Sequence, residues 1–302
     1  MTPLIVRLPN HLGDACMATA ALDALAAHGY RLTLAGRPWI ESLFEAYEWR
    51  TVALRGGRRE HVAALRAAAA GAAGLLFTNS FSTALEFRLA GIRSTGYARG
   101  GRSLLLSSAI PVVESDHMVA YYHRLAMTLI AKPAALPTRL ALRVSGVASR
   151  RADAMLASAG VTGPYVVLCP VAIGLHRGKV KAWSGFSRLC TELLARGERV
   201  VAIPGPNETG EVTRVLAGAT ILPESDLATF AALLANARLV VANDSGPGHL
   251  AATVGVPLVS VFGVTEPEKT LPWGPHVRMV GSGSKWPTYD EVLAAIDGML
   301  AD

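Results

Sequence analysis

Residues 243–249, with the sequence NDSGPGH, combine residue types that could hold a phosphate group. They follow the apolar run LVVA and precede the Ala-rich run LAATV, so we predict a strand, a loop and a helix in succession. Loop amides and a helix N-terminus then point at whatever lies beyond the strand. Gly246 and Gly248 permit close backbone approach, and Ser245 adds a hydroxyl. Pro247 fits the first helical position. An ordinary capped strand–helix turn is the alternative interpretation.

Three further loops follow predicted strands and carry polar or charged residues. They are residues 9–14 after a strand at 4–8, residues 170–174 and 179–183 after a strand at 165–169, and residues 204–208 after a strand at 199–203. Ligands of open α/β sheets bind beyond the carboxyl ends of the strands, so we expect the four loops to converge on one site. No Walker Lys-Ser/Thr motif occurs and no full GxGxxG follows the first strand, which argues against NTPases and dehydrogenases.

Both halves of the chain alternate strand and helix patterns, which predicts mostly parallel sheets covered by helices. The further strands are predicted at residues 31–35, 75–78, 239–242 and 258–262. The helices are predicted at residues 15–28, 40–47, 83–90, 186–196, 208–216, 227–235 and 249–254. Residues 131–149 contain two prolines and mixed polar residues, typical of a linker. We therefore predict two doubly wound domains, residues 1–145 and 146–302, with a cleft between them.

The composition indicates a globular protein. Of 302 residues, 51% are hydrophobic and 17% are charged, and no apolar run reaches the roughly 18–20 residues that span a bilayer. A strand-like segment stands at the very start, where a signal peptide would lie, so we expect a cytoplasmic protein. Cys16, Cys169 and Cys190 fit neither a disulfide framework nor a CxxC metal site, and we expect them to be core residues in a reducing compartment.

The net charge of +6 comes partly from two basic clusters, Arg93, Arg99 and Arg102, and residues 176–181. Neither cluster has interleaved aromatic residues or a recognisable reading helix, so we expect no nucleic-acid partner. Anionic small molecules or an acidic lipid surface explain the charge more economically. For the arginine cluster, a merely solvated face is the alternative.

The four loops together resemble glycosyltransferase family 9, the ADP-heptose:lipopolysaccharide heptosyltransferases. The resemblance rests on RLPNHLGDACMATAAL, CPVAIG with KVKAWSGF, IPGPNE, and VANDSGPGHLAATVGVPLVSVFGVTEPE, in the family's order and spacing. The stretch TNSFSTALEFRLAGIRSTGY is most similar to the branch that adds the second heptose. The resemblance implies a GT-B fold, with the acceptor on the first domain and the nucleotide sugar on the second.

The resemblance also implies transfer of a sugar to a hydroxyl with inversion, without a metal or other cofactor. Asp14 matches the family's proposed base, which would take the proton of the acceptor hydroxyl. An unperturbed Asp, with a pKa of about 3.9, is a weak base that helps only as that proton becomes acidic. The alternative is that Asp14 caps the following helix.

The expected donor-binding residues are Lys181, Glu208, Asp244, Ser245, Gly246 and His249. Lys181 and the amides of Ser245 and Gly246 would neutralise the leaving diphosphate, with Lys179 and Arg177 as alternatives to the lysine. The resemblance implies that Glu208 accepts from the ribose hydroxyls, whereas helix-dipole compensation is its simpler role. Asp244 would orient loop amides or bind sugar hydroxyls. His249 would donate to the diphosphate or pack in the core.

Asn10, His11 and Arg99 are the expected acceptor-binding residues. The expected partners are ADP-heptose or a similar nucleotide sugar and a glycolipid acceptor, at the cytoplasmic face of the inner membrane. The chain departs from the family where Ser184 follows Trp183 and where Pro247 and Gly248 replace bulkier residues. A transferase with another sugar or acceptor, a non-catalytic binding module and a sugar-nucleotide epimerase are the alternative functions.

Overall fold

The structure is a computed structural model that describes residues 1–172, 175–176 and 178–301. It divides into two compact units, Met1–Pro137 and Thr138–Asp302. Each unit contains a six-stranded parallel sheet with helices between successive strands. Two residues of the loop predicted after the strand at 165–169, Ile173 and Gly174, lie outside the described residues, as does Arg177.

The N-terminal unit begins with its central strand. Its strands are β1 (Thr2–Arg7), β2 (Tyr30–Gly36), β3 (Arg50–Ala53), β4 (Ala73–Leu76), β5 (Ser94–Tyr97) and β6 (Ser108–Ile110). Its helices are α1 (Leu12–Met17), α2 (Thr19–Ala27), α3 (Ile40–Leu43), α4 (Arg58–Ala69), α5 (Phe81–Leu89) and α6 (Met118–Met127), with a 3₁₀ helix at Arg102–Leu105.

The strand order in this sheet is β3-β2-β1-β4-β5-β6. The chain therefore builds outward from β1 on one side and then crosses to β4 on the other side. The carboxyl ends of β1 and β4 flank the point where the order reverses, which is where open α/β sheets bind ligands. The loop that carries Asp14 follows β1 at this point.

The C-terminal unit repeats the plan. Its strands are β7 (Val166–Cys169), β10 (Val200–Ala202), β11 (Thr220–Ile221), β12 (Leu239–Asn243), β13 (Leu258–Phe262) and β14 (Val277–Gly281), with a separate two-stranded hairpin of β8 (Leu175–His176) and β9 (Lys179–Val180). Its helices are α7 (Gly146–Ser158), α8 (Phe186–Ala195), α9 (Thr209–Val215), α10 (Leu227–Ala235), α11 (Gly246–Val254), α12 (Pro267–Thr270) and α13 (Tyr289–Ala301).

The strand order of the main sheet here is β11-β10-β7-β12-β13-β14, so the order reverses between β7 and β12. Every residue of β7, β12 and β13 is buried, as expected for parallel strands covered on both faces. β10, β7 and β12 are adjacent parallel strands, so the loops that follow them all begin at the carboxyl ends of the strands. Three of the four predicted loops therefore lie together in this unit.

Several predicted helices have different bounds in the structure. The helix predicted at 15–28 is divided at Ala18 into α1 and α2. The helix predicted at 40–47 ends at Leu43, because the following residues turn to form a cluster of Phe44, Tyr47 and Trp49. The predicted linker at 131–149 is wrong at its end, since α7 already begins at Gly146.

The start of α7 has a local cause that the linker prediction overlooked. Ser145 is its N-cap and accepts a hydrogen bond from the amide of Ala148. Ala148, Ala152 and Leu156 then bury one face of the helix at intervals of four residues.

The three cysteines are free and buried, which confirms them as core residues. Burial raises the pKa of the Cys169 thiol to about 12, with the Glu208 carboxylate adding to the effect. Across the described part of the chain, no helix combines the length and apolar character needed to cross a membrane.

Candidate functional site

The loop after β12 delivers the N-terminus of α11 to the reversal point of the C-terminal sheet. Ser245 is the N-cap residue, Pro247 stands in the first turn, and the side chain of Ser245 donates to the carbonyl of Asn243 at 3.1 Å. The first amides of α11 have no partner within the helix, so they and the helix dipole favour an anion at this end. The predicted strand, loop and helix are confirmed.

Asp244 is turned into the protein at this loop, with 8% of its surface exposed. Its Oδ1 lies 3.7 Å from Nε2 of His249, one turn into α11. Burial alone raises the pKa of Asp244, but the His249 imidazole, the Thr265 hydroxyl and the Lys181 ammonium outweigh it and hold the pKa below its usual value. Asp244 is therefore an ionised, internally compensated group.

His249 is buried and presents its two ring nitrogens differently. Nε2 faces Asp244, whereas Nδ1 is buried and makes no hydrogen bond to any residue that the structure describes. A buried polar atom without a partner is costly unless a ligand or water satisfies it. This arrangement favours a role for His249 beyond packing.

Lys181 lies between the β8–β9 hairpin and a buried tryptophan. The side chain of Trp183, two residues on, packs against Phe186 and Tyr289, and its Nε1 donates to the carbonyl of Pro287 at 3.2 Å. Lys181 is partly exposed, whereas Lys179 is exposed. The Lys181 ammonium also contributes to the lowered pKa of Asp244, which lies in the β12–α11 loop. Arg177, the other alternative, lies outside the described residues.

Glu208 stands at the N-cap position of α9, after β10. Its carboxylate does not cap this helix but accepts from the amide of Gly205 at 2.8 Å. With Pro170, Val171 and Pro247 it lines a cavity of about 20 Å³ at the strand ends. Such a cavity holds about one water molecule, so a nucleoside would have to lie over its mouth or widen it.

Asn243 is a site residue that sequence reasoning missed as such. It ends β12 with a side chain that has no exposed surface, and it hydrogen-bonds to both the segment of Trp183 and the end of β7. The signal was available, because an Asn directly after a buried apolar strand has to find partners inside the protein.

In the N-terminal unit, α1 begins directly after the β1 loop and His11 takes its N-cap position. Asp14 is the third residue of the helix, so it does not occupy the cap position that the simpler interpretation gave it. The hydroxyl of Tyr122, on α6, donates to Oδ1 of Asp14 at 3.2 Å. Burial first, and then the charge and hydrogen bond of Asp14, raise the pKa of Tyr122 well above its usual value. Tyr122 therefore stays a donor to a carboxylate that is itself partly exposed.

Asn10 and His11 are both exposed. The Oδ1 of Asn10 accepts from Nη2 of Arg7 at 2.8 Å, and Arg7 also donates to the carbonyl of Leu8. Burial lowers the pKa of Arg7 to about 10, with Arg37 adding to the effect and Glu86 opposing it. Arg7 therefore remains charged at neutral pH, and its two hydrogen bonds hold the loop at Leu8 and Asn10. Its position within the apolar run LIVRL was the signal that sequence reasoning passed over.

The three arginines of the first basic cluster do not form one surface. Arg93 is exposed, and Arg99 is half-exposed beside the carboxylate of Glu114 at 3.4 Å. Arg102 is fully buried, and its guanidinium donates to the carbonyls of Tyr97 and Thr78 and to Oδ1 of Asn79. The expectation that Arg102 meets an anionic partner is wrong, because its donors already satisfy backbone groups at the ends of β4 and β5.

Metal-ligating side chains do not cluster in the described residues, since no group of three or more His, Cys, Asp or Glu could hold an ion there. The positive features of the candidate donor site are instead the ammonium of Lys181 and the N-terminus of α11.

The chain is similar in sequence to known proteins of one family. The family model of Glycosyltransferase family 9 (heptosyltransferase) matches residues 58–293. Lipopolysaccharide heptosyltransferase 3 of Escherichia coli is 33% identical over 169 residues, which cover 47% of this chain and 48% of that protein. Lipopolysaccharide heptosyltransferase 1 of Pseudomonas aeruginosa is 44% identical over 73 residues, 24% of this chain and 21% of that protein. The chain thus spans about half the length of the E. coli relative, and less of the other.

Solved structures share the fold along the whole chain. E. coli ADP-heptose lps heptosyltransferase II superposes with a TM-score of 0.82 at 22% identity, covering 100% of this chain and 99% of that one. A glycosyl transferase of family 9 from Veillonella parvula DSM 2008 gives 0.86 at 16% identity, covering 99% and 97%. E. coli heptosyltransferase WaaC, solved with ADP, gives 0.78 at 20% identity, covering 99% and 100%. These similarities confirm the predicted α/β GT-B class.

Proposed function

The chain belongs to glycosyltransferase family 9, and on that premise we propose that it transfers a heptose from ADP-heptose to a hydroxyl of a lipopolysaccharide inner-core acceptor. The observation that carries the proposal is the set of residues at the carboxyl ends of the central strands in the C-terminal sheet. Three loops from adjacent strands there bring together the N-terminus of α11, the lysine Lys181 and the carboxylate Glu208. This is an arrangement that can hold a nucleoside diphosphate.

The proposed reaction is a single displacement with inversion. The acceptor oxygen forms a bond to the anomeric carbon as the bond between that carbon and the diphosphate oxygen breaks. The electron pair of the broken bond leaves with ADP, and the proton of the acceptor hydroxyl passes to the carboxylate of Asp14. Asp14 is suited to this role because it is partly exposed and is held by the hydroxyl of Tyr122. General-base assistance of this kind contributes roughly 10²–10⁴ in rate.

Neutralisation of the departing diphosphate falls to Lys181 and to the amides of Ser245 and Gly246. Charge-assisted hydrogen bonds of this type contribute about 1.5–3 kcal/mol each. His249 offers its buried Nδ1 as a further partner in the same turn of α11. Because these groups supply positive charge directly, we propose that the reaction needs no metal ion. Chelation with EDTA should then leave the rate unchanged.

Acceptor recognition is assigned to Asn10, His11 and Arg99 in the N-terminal unit. Asn10 and His11 are exposed beside the loop of Asp14, and Arg99 follows β5 on the same sheet. A glycolipid acceptor would place the enzyme at the cytoplasmic face of the inner membrane. The exposed side chain of Arg93 then offers charge to anionic phosphates.

The test is a donor panel. The purified chain is incubated with ADP-heptose and other nucleotide sugars, with and without an inner-core acceptor, and products are read by mass spectrometry. We expect a heptose adduct on the acceptor, ADP release and an inverted anomeric configuration. A different preferred sugar would redirect the proposal within the family. An epimerised donor formed without acceptor would overturn it, as would ADP binding without any turnover.

A further inference from the structure

Asn243 is the polar end of an otherwise apolar strand. The four residues before it in β12 are apolar and buried, and its own side chain has 0% exposed surface. A buried amide group costs free energy unless its oxygen and nitrogen are both paired inside the protein. The partners of this side chain therefore show why an amide, rather than a fifth apolar residue, suits this position.

The two halves of the amide bind two different loops. Oδ1 accepts from the backbone N–H of Trp183 at 2.9 Å. Nδ2 donates to the carbonyl of Pro170 at 2.8 Å and lies 3.5 Å from that of Cys169. An N–H can only donate and a carbonyl can only accept, so these partners fix the orientation of the amide. Asn243 thus links β12, the end of β7 and the segment that leads out of Lys181.

Trp183 is held from its other side by independent contacts. Its indole Nε1 donates to the carbonyl of Pro287, and its ring packs against Phe186. The bond from Asn243 adds the backbone constraint, two residues from Lys181. Asp244, the neighbour of Asn243 in sequence, lies close enough to Lys181 for the ammonium to lower its pKa. The backbone two residues after Lys181 is therefore held by the residue that ends β12, directly before the β12–α11 loop.

We propose that Asn243 is the positioning residue of the donor site: it fixes the Lys181 segment against the β12–α11 loop, so that ammonium and helix amides meet the same diphosphate. The proposal rests on the donor-binding function proposed above. Asn243 does not touch the nucleotide in this role but acts through Lys181. A purely structural Asn243 would support the fold and leave the contribution of Lys181 to ADP binding unchanged.

A double-mutant cycle on ADP affinity separates these roles. Dissociation constants are measured by calorimetry for the wild type, Asn243→Ala, Lys181→Ala and the double variant. We expect each single variant to bind ADP about 10-fold more weakly or worse, and the double variant to stay within about 2-fold of Lys181→Ala. Multiplied effects in the double variant would overturn the proposal while leaving Lys181 in the site.

A matched control addresses general destabilisation. Tyr165→Phe removes another buried side-chain hydrogen bond of the same unit, from the Tyr165 hydroxyl to the carbonyl of Leu233 at 2.6 Å. This variant should lower Tm and leave ADP affinity within about 2-fold of the wild type. If Asn243→Ala does not fold, Asn243→Ser, which keeps a shorter polar group, enters the same cycle with the same criteria.

Limited trypsin digestion of the folded chain gives a readout that needs no nucleotide. A freed segment should be cut faster after Lys181, so we expect several-fold faster cleavage there in Asn243→Ala but not in Tyr165→Phe. Equal cleavage rates in wild type and Asn243→Ala would overturn the positioning role. Failure of the wild type to bind ADP would overturn the proposed function, and the cleavage rates would still decide whether Asn243 fixes the segment.

Discussion

The loops after β1 and after β12 each follow a strand that borders the reversal point of its sheet, but they present their aspartates in opposite ways. Each loop follows a buried strand at the reversal point and leads into a helix. Asp14 stands inside its helix, at the third position, and is partly exposed. Asp244 stands before the N-cap, on the strand side, and is buried against His249.

This difference assigns different chemistry to the same residue type. Asp14, in the first turn of α1, is partly exposed and accepts a hydrogen bond from the hydroxyl of Tyr122. Asp244, between β12 and the N-cap of α11, is buried beside His249, and the His249 imidazole, the Thr265 hydroxyl and the Lys181 ammonium favour its charged form. We propose on this basis that the first loop accepts a proton and that the second holds a diphosphate. The following four predictions test this division, beginning with the largest expected effect.

Asp14→Asn tests the proton-accepting role of the first loop. We expect kcat to fall by roughly 10²–10⁴, because the amide cannot take the proton of the acceptor hydroxyl. ADP affinity should stay unchanged, since the nucleotide is assigned to the other unit. The measurements are steady-state kinetics and calorimetry, with the exposed Asp290→Asn as the charge-matched control. A kcat within a few-fold of the wild type would remove Asp14 from the reaction.

Lys181→Ala tests the diphosphate-binding role of the C-terminal site. Loss of a charge-assisted hydrogen bond worth about 1.5–3 kcal/mol weakens ADP binding by about 10- to 150-fold. Lys285→Ala, an exposed lysine in the same unit, is the control and should bind as the wild type does. Lys179→Ala distinguishes the neighbouring cation: a loss there and not at Lys181 would transfer the role to Lys179.

Asp244→Asn should change the acid stability of the protein. The folded-state pKa of Asp244 is lowered, so its ionisation adds stability above the unfolded pKa of about 3.9, and that stability is lost as pH falls toward the folded pKa. We expect the variant to be less stable by about 1–3 kcal/mol near pH 7, with a smaller gap near about pH 3. Urea unfolding at both pH values measures this. A gap that widens in acid would contradict the internal compensation of Asp244.

Tyr122→Phe tests the hydrogen bond to Asp14 and should have the smallest effect of the four substitutions. The substitution removes only the hydroxyl that donates to Asp14, and it keeps the ring packed on Phe77. Without that donor the ionised carboxylate is favoured less, so the acidic limb of the pH–rate profile should move to higher pH. The expected cost in stability is about 0.5–1.5 kcal/mol. Tyr97→Phe, which loses a hydroxyl bonded to the carbonyl of Tyr121, is the control and should leave the limb in place. An unmoved limb in Tyr122→Phe would mean that the hydroxyl does not act on Asp14.

Much of the sheet architecture could be predicted, because buried parallel strands have a simple signature. The strand at 258–262 and the helix at 227–235 have the predicted bounds, and most other predicted strands differ by one or two residues. Two of the missed elements have weaker patterns. β3 is polar and only partly buried, and α4 consists largely of alanine and arginine. β3 has no fully buried residue, and α4 buries only Leu65 and Ala68, so neither shows a long apolar pattern.

In the candidate site, too, some features could be predicted from the sequence and others could not. The loops were identifiable from sequence, since Gly, Pro, Asn and Asp after an apolar run indicate strand ends and helix starts. The buried partners were not. Arg102 resembled a surface cation until the fold placed it between the ends of two strands, and Tyr122 lies 108 residues from the aspartate it contacts.

The sequence by itself determined the fold class, the family and the positions of the loops, because these follow from local patterns of apolar and turn-forming residues. Only the tertiary structure decided which polar groups are paired with other groups inside the protein and which can contact a ligand. Asp14 and Asp244 look alike in the sequence, and so do Arg93 and Arg102. Burial and distant hydrogen-bond partners separate them, and both depend on contacts between residues far apart in the chain.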